Sequence, residues 1–194
     1  MGVEYELKFR ATPEIQVAIC DDIQGEEALY QMHTTYYDTP TGALSCKKYI
    51  LRRRMENDIC VCTIKTPIQG HGRGEWETQC QDILQAIPVL VSLGAPQELI
   101  ELTWEGLEEV CGAKFTRIAK TLVLEDGVLE LALDKGVLTG GGKEIPLCEV
   151  EVELKEGTPE FAEFYGKYMA RKYGLIPEPG SKFRRALALS KGEK

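Results

Sequence analysis

Two stretches of this chain alternate charged and apolar residues without a break: Glu4-Tyr5-Glu6-Leu7-Lys8 near one end and Glu149-Val150-Glu151-Val152-Glu153-Leu154-Lys155 near the other. A period of two belongs to a β-strand, whose successive side chains point to opposite faces. Val3, Tyr5, Leu7 and Phe9 then share one face, and Glu4, Glu6, Lys8 and Arg10 the other. Same-face neighbours on a strand stand about 7 Å apart. Glu149, Glu151 and Glu153 at that spacing repel one another unless water screens them or a cation binds them. Neutralising one of them should therefore stabilise the chain while impairing whatever they bind.

Other segments split the same way. Leu51-Arg52-Arg53-Arg54-Met55 puts Arg52 and Arg54 on one face, Cys62-Thr63-Ile64-Lys65 sets Lys65 among polar neighbours, and Leu129-Glu130-Leu131-Ala132-Leu133-Asp134 opposes Glu130 and Asp134 to three leucines. A sheet with one apolar and one charged face can turn the charged face to water, or it can curl so that this face lines a cavity. Acids and bases crowded into one cavity imply a ligand that carries both signs.

At 194 residues, 43% hydrophobic and 28% charged, the chain has the composition of a globular protein with a substantial core. Its net charge of −8 argues against nucleic acid as a partner, since phosphate backbones are bound through a basic field. Seven cysteines, an odd number without a Cys-x-x-Cys pair, and only two histidines (His33 and His71) argue against a zinc site. Reduced thiols packed as small apolar side chains are the expectation. With neither a membrane-length apolar run nor a signal-peptide pattern, a cytoplasmic location and no membrane partner are expected.

Along the chain, strands are expected at about 3–10, 30–37, 49–55, 59–66, 75–80, 115–125, 128–134 and 147–155. Helices are expected from Pro13 behind a Thr12 cap and from Pro159 behind a Thr158 cap, the second ending at Gly174. Residues 82–112 read as helical with breaks near Pro88 and near Gly94-Ala95-Pro96, and Ser181 caps a last helix. Gly70-His71-Gly72-Arg73-Gly74 and Gly140-Gly141-Gly142 read as loops, and Glu125-Asp126-Gly127 as a hairpin turn. The two Glu-x-Glu strands and the two Thr-Pro-Glu helix starts echo each other, giving one α+β domain over residues 1–194.

The acids on the charged faces are Glu4, Glu6, Glu130, Asp134, Glu149, Glu151 and Glu153; the bases are Lys8, Arg52, Arg54 and Lys65, with Arg73, Arg117, Lys120, Lys182, Arg184 and Arg185 as further candidates. Carboxylates without histidine or cysteine beside them favour a hard divalent cation, Mg²⁺ or Mn²⁺. Arginine and lysine in the same space suit phosphate oxygens. A polyphosphate with bound metal satisfies both sets.

These motifs bring a family into view. Glu4-x-Glu6-x-Lys8, Tyr36-Tyr37-Asp38-Thr39-Pro40, Leu51-Arg52-Arg53-Arg54, Thr63-Ile64-Lys65, Arg73-Gly74-Glu75, Ala132-Leu133-Asp134-Lys135-Gly136, Glu149-x-Glu151-x-Glu153-Leu154 and Ser181-Lys182 with Arg185 follow one another in order. The series resembles the CYTH superfamily, the triphosphate tunnel metalloenzymes, and looks closest to members acting on inorganic tripolyphosphate. The resemblance implies a closed antiparallel β-barrel, a tunnel with a charged interior and helices packed outside. It implies metal ligation by Glu4, Glu6, Asp134, Glu149, Glu151 and Glu153. It implies phosphate binding by Lys8, Arg52, Arg54, Lys65, Arg73, Lys120, Lys182 and Arg185. Where the family has an Arg-Thr pair this chain has Lys120-Thr121.

The expected reaction is metal-dependent hydrolysis of a small-molecule triphosphate to pyrophosphate and phosphate, with Glu6, Lys65 and Glu151 as catalytic residues. Class IV adenylyl cyclase and thiamine triphosphatase activity are the alternatives within the family, and a non-catalytic polyphosphate-binding module is the alternative outside enzymes. Monomer and homodimer are both compatible with the sequence.

Overall fold

The computed structural model describes residues 2–68 and 73–192, residues 2–4 by their backbone alone. Gly70, His71 and Gly72 of the expected loop lie outside the described residues. The strands are β1 (Gly2–Glu4), β2 (Glu6–Arg10), β3 (Glu26–Asp38), β4 (Ile50–Glu56), β5 (Ile59–Pro67), β6 (Arg73–Gln79), β7 (Glu108–Leu124), β8 (Gly127–Gly140), β9 (Lys143–Glu156) and β10 (Ile176–Pro177). The helices are α1 (Pro13–Asp22), α2 (Ala43–Cys46), α3 (Ile83–Ser92), α4 (Glu98–Leu102), α5 (Pro159–Tyr173) and α6 (Lys182–Ser190).

All ten strands form one antiparallel sheet in the order β1-β6-β5-β4-β3-β7-β8-β9-β2-β10. The two alternating stretches are neighbours in it: Glu6 pairs with Glu153, Lys8 with Glu151 and Arg10 with Glu149. The expected closed barrel is corrected in one respect, because the ladder is open between β1 and β2. The chain changes partners at Tyr5. Gly2–Glu4 pairs with β6, whereas Glu6–Arg10 pairs with β9, and Tyr5 O accepts from Leu154 N at 2.9 Å. One stretch, residues 2–10, therefore touches both ends of the strand order.

Period-two patterning sorts the side chains as expected. Outward residues of β2, β8 and β9 (Phe9, Leu129, Leu131, Leu133, Val150, Val152) bury against Ile19 of α1 and Ala162 and Met169 of α5. Outward residues of β3 to β6 (Tyr37, Leu51, Cys62, Ile64, Trp76) bury against Leu44 of α2, Ile83, Ala86, Ile87 and Leu90 of α3, and Leu99 of α4.

A third cluster lies on the other face. Met32, Tyr36, Ile50, Cys111, Ala113, Phe115, Leu138 and Leu147 pack with Phe183 and Ala186 of α6. Not every helix is outside, then: α6 sits on the charged face, because its Phe183 and Ala186 pack there against an apolar stretch of that face. Gly140 admits the helix closely, since a Cβ there would stand 2.3 Å from Ala186 O.

The expected caps form. The Thr12 and Thr158 hydroxyls accept from Ile15 N and Phe161 N at 3.4 and 3.3 Å. Three expectations are revised. The helix α3 runs through Pro88 without ending there. Strand β7 begins at Glu108, inside the stretch read as helical. The Gly140–Gly142 loop is a tight β8–β9 hairpin, with Gly141 and Gly142 at φ +58° and +74°, the left-handed values that a two-residue hairpin turn demands. All seven cysteines are free.

Candidate active site

The inward side chains of β2 to β9 and the start of α6 enclose a cavity of about 410 Å³. Eight cationic residues line it (Lys8, Arg52, Arg54, Lys65, Arg73, Arg117, Lys155, Lys182), together with seven acids (Glu6, Glu56, Glu75, Glu77, Glu130, Glu151, Glu153). The charged faces read from the sequence thus converge on one space rather than on bulk water. Tyr30, Met32, Tyr36, Ile50 and Phe183 supply its apolar part.

The basic wall comes from β4 to β6. Arg52 Nη2 and Lys65 Nζ both stand 3.4 Å from the same oxygen, Glu75 Oε1. Arg54 is buried; its Nε donates to Thr34 Oγ1 at 3.0 Å, and Nη1 lies 3.6 Å from Glu56 Oε1. Burial pushes the Arg54 guanidinium down from its ordinary value, and Arg52 and Arg117 nearby add to this. An anion entering here would relieve that mutual repulsion.

The acidic wall comes from β8, β9 and β2, from the opposite half of the strand order. Lys8 Nζ bonds Glu6 Oε1 at 2.7 Å, and Lys155 Nζ lies 2.8 Å from Glu153 Oε1 and 3.6 Å from Glu130 Oε2. Behind the cavity, Asp134, Glu149 and Glu151 form a buried triad whose ligand oxygens lie within 4.8 Å of one another. Arg117 grips Asp134 with a two-pronged fork, Nε to Oδ1 and Nη2 to Oδ2 at 2.7 Å each, and reaches Glu151 Oε2 at 2.5 Å. Lys182 Nζ contacts all three acids, and Arg185 contacts Glu149. From the far side of the sheet, Gln16 of α1 donates to the main-chain oxygens of Asp134 and Glu149 at 2.9 Å each, fixing the two strands at this level.

The triad's titration follows from this crowding. Burial alone would raise Glu151, but Lys182 and Arg117 outweigh it and hold the carboxyl well below the usual range. Burial dominates at Glu149 and raises it. The donors are all carboxylate oxygens at a spacing that fits a hard divalent cation, and among the described residues no cysteine or histidine joins them.

Of the residues expected from the sequence, Glu6, Lys8, Arg52, Arg54, Lys65, Arg73, Glu151, Glu153 and Lys182 line the cavity. Asp134, Glu149 and Arg185 adjoin it through the triad. The backbone of Glu4 lies in β1, and its side chain is outside the described atoms. Lys120 is a correction. Its Nζ donates to Cys20 O and Ile23 O at 3.0 and 2.9 Å, at the end of α1 on the outward face.

Strand parity puts Arg117 inward instead, opposite Asp134 in the β7–β8 register, where it lines the cavity. Phe115 was missed. Its ring centroid lies 6.0, 5.8 and 5.3 Å from the cationic groups of Arg54, Arg117 and Lys182, a gathering point for like charges. The alternation Ala113, Phe115, Arg117, Ala119 was the signal available in the sequence. The Asp38 carboxylate of the Tyr-Tyr-Asp-Thr-Pro turn is structural: it accepts from Thr39 N, Leu44 N and Ser45 N at 2.8, 2.9 and 3.2 Å, seating α2.

A family model described as the CYTH domain matches residues 2–187. A Haemophilus influenzae protein named inorganic triphosphatase is 28% identical over 162 residues, which cover 79% of this chain and 46% of that one. The chain thus spans about half the length of that relative. Among solved structures, the Hippeastrum adenylyl cyclase candidate HpAC1, described as having a dominant triphosphatase activity, superposes with a TM-score of 0.69 at 20% identity, covering 98% of this chain and 97% of its own. The PH1819 protein of Pyrococcus horikoshii OT3 gives 0.67 at 23% identity, covering 96% and 99%. At these identities the two structures speak for the fold. Among the described residues no helix is long and apolar enough to cross a membrane.

Proposed function

The chain belongs to the CYTH family, and from that membership and its mixed-charge cavity we propose that it is a divalent-metal-dependent triphosphatase whose preferred substrate is inorganic tripolyphosphate. The observation that carries the reading is the cavity lining, in which eight cationic side chains and seven carboxylates face one space of about 410 Å³. A bare polyphosphate chain competes for the cations that now pair with the carboxylates, and a bound metal would give those carboxylates a partner in their place. A module that merely bound polyphosphate would have no use for the acidic wall.

In this reading Lys8, Arg52, Arg54, Lys65, Arg73, Lys182 and Arg185 bind the phosphates, Arg by its fork and Lys as a point charge. Glu4, Glu6, Asp134, Glu149, Glu151 and Glu153 are the residues that would hold Mg²⁺ or Mn²⁺, which offsets phosphate charge and favours attack at phosphorus. Glu6 and Glu151 orient a water in line with the terminal phosphorus, and Glu6 takes its proton. The bond to the bridging oxygen breaks as the new one forms, and Lys65 offsets the charge left on the departing pyrophosphate. The curled sheet acts as the family's tunnel, with residues 2–10 completing its wall. Lys120 has no part in this.

The test is a product panel: tripolyphosphate, ATP and thiamine triphosphate, each with Mg²⁺ or Mn²⁺, read for phosphate release and for cyclic AMP. The apolar patch formed by Tyr30, Tyr36 and Phe183 is where an adenine or thiamine ring would rest, so these two substrates are the ones to set against tripolyphosphate. The expected result is the highest kcat/KM on tripolyphosphate and no cyclic AMP. Cyclic AMP formation, or faster turnover of ATP or thiamine triphosphate, would replace this assignment.

A further inference from the structure

The ammonium of Lys182 occupies the point where the three buried carboxylates converge. Its Nζ is 2.7 Å from Asp134 Oδ2 and 2.7 Å from Glu151 Oε1, and it also contacts Glu149 Oε1. Glu149 is fully buried, and its Oε1 makes no hydrogen bond, only this ion pair with Lys182 among the described residues. The remaining cations approach from the sides, Arg117 on Asp134 and Glu151 and Arg185 on Glu149. Three acids thus meet three cations, and the triad is neutral as it stands. A divalent ion added with all three cations in place would leave two uncompensated charges in a buried site, at a large desolvation cost. The cation at the centre must leave if a metal is to enter.

Lys182 is suited to leave. It is the first residue of α6, carried by the helix rather than by the strands that bear the acids. Its flexible stem lets the head group turn into the cavity that it already lines together with Ser181 and Phe183.

We propose that Lys182 is a tethered counter-ion that holds the divalent-metal seat of Asp134, Glu149 and Glu151 in the metal-free protein, and that metal and ammonium exchange. An entering Mg²⁺ or Mn²⁺ displaces the ammonium from the triad into the cavity, where it is free to meet phosphate. The exchange itself needs only the triad; that the released ammonium then serves a triphosphate rests on the function proposed above. Metal and triphosphate binding are then positively linked, each raising the affinity for the other by the same factor.

The experiment is Mn²⁺ titration of the full chain without substrate, by calorimetry and by the electron paramagnetic resonance of free Mn²⁺. Lys182→Met keeps the stem and removes the competing charge. Mn²⁺ should bind it about tenfold tighter or more than wild type, about 1.4 kcal/mol per tenfold, and adding Glu149→Gln should cancel the gain. Equal or weaker Mn²⁺ binding by Lys182→Met overturns the proposal.

Should that variant fail to fold, the crystal structure of the wild-type protein with Mn²⁺ decides, with manganese located by its anomalous scattering. Manganese at the triad with Lys182 Nζ out of hydrogen-bond reach of Asp134 and Glu149 is expected. An ion bound elsewhere with Lys182 still in the triad overturns the exchange. Neither measurement involves turnover, so a protein that releases no phosphate would refute the triphosphatase reading and leave this one standing.

Discussion

Glu151 Oε1 accepts from Lys182 Nζ at 2.7 Å, joining the acidic strand β9 to the last helix. The carboxylate whose neighbours on its own strand suggested repulsion is held by cations from two other elements. The expectation that neutralising it would stabilise the chain is therefore reversed for the metal-free protein. Glu151→Gln removes one partner of a buried ion pair, and such losses cost about 3–5 kcal/mol. Urea unfolding in EDTA should show a loss towards the lower end of that range, with turnover of tripolyphosphate strongly reduced. An unchanged or raised midpoint would show that repulsion dominates after all.

Arg52→Ala, Arg54→Ala and Lys65→Ala should each weaken tripolyphosphate binding ten- to a hundredfold, since a charge-assisted hydrogen bond contributes about 1.5–3 kcal/mol. Arg52 and Lys65 now share one Glu75 oxygen, so the ligand must outcompete that carboxylate. Glu75→Gln should accordingly tighten binding. Lysine at position 52 or 54 should recover only part of the loss, because a point charge cannot replace the guanidinium fork. Calorimetry with a non-activating metal reads these effects without turnover.

Lys120→Met separates structure from function. The ammonium satisfies two carbonyls at the end of α1, Cys20 O and Ile23 O, and favours the negative end of the helix dipole. The substitution should cost about 1–3 kcal/mol of stability and leave tripolyphosphate affinity within about a factor of two of wild type. A large loss of affinity with stability intact would return Lys120 to the site.

The triad also fixes a pH dependence for the metal-free protein. Glu151 is held below its ordinary 4.5, so its stabilisation is present above that value and is lost as pH falls through the depressed one. Lys182 is buried, which would lower it, yet Asp134, Glu151 and Glu149 raise it above 10.5. Its share is complete below 10.5 and is lost as pH rises through the raised value. Glu149, raised by burial, opposes Glu151 on the acid side. Unfolding free energies measured in EDTA from about pH 7 down to pH 3 should fall less steeply in Glu151→Gln than in wild type. In Glu149→Gln they should fall more steeply.

Much of this was legible in the sequence, because a period of two fixes a strand's faces without reference to its partners. Glu6, Arg52, Lys65 and Glu151 were placed on charged faces by alternation alone, and Thr12 and Thr158 marked their helices by capping chemistry. Position 120 failed for the same physical reason: a one-residue error in parity exchanges the two faces, and only the pairing of Arg117 with Asp134 settles which is inward. The place of α6 was not readable, since its Phe183 and Ala186 pattern suits either side of a sheet. Nor was the neutrality of the triad, which depends on Lys182 and Arg185 arriving from that helix. The hairpin at Gly141-Gly142 was hidden by a third glycine that made it look like a loop.

Metal-dependent cleavage of tripolyphosphate is read directly by phosphorus-31 NMR of the compound incubated with the full chain, first with Mg²⁺ and then in excess EDTA. Equal amounts of pyrophosphate and orthophosphate are expected with Mg²⁺, intact tripolyphosphate in EDTA, and recovery on adding Mn²⁺ but not Zn²⁺. Intact tripolyphosphate in the presence of Mg²⁺, or undiminished turnover in EDTA, would contradict metal-dependent cleavage.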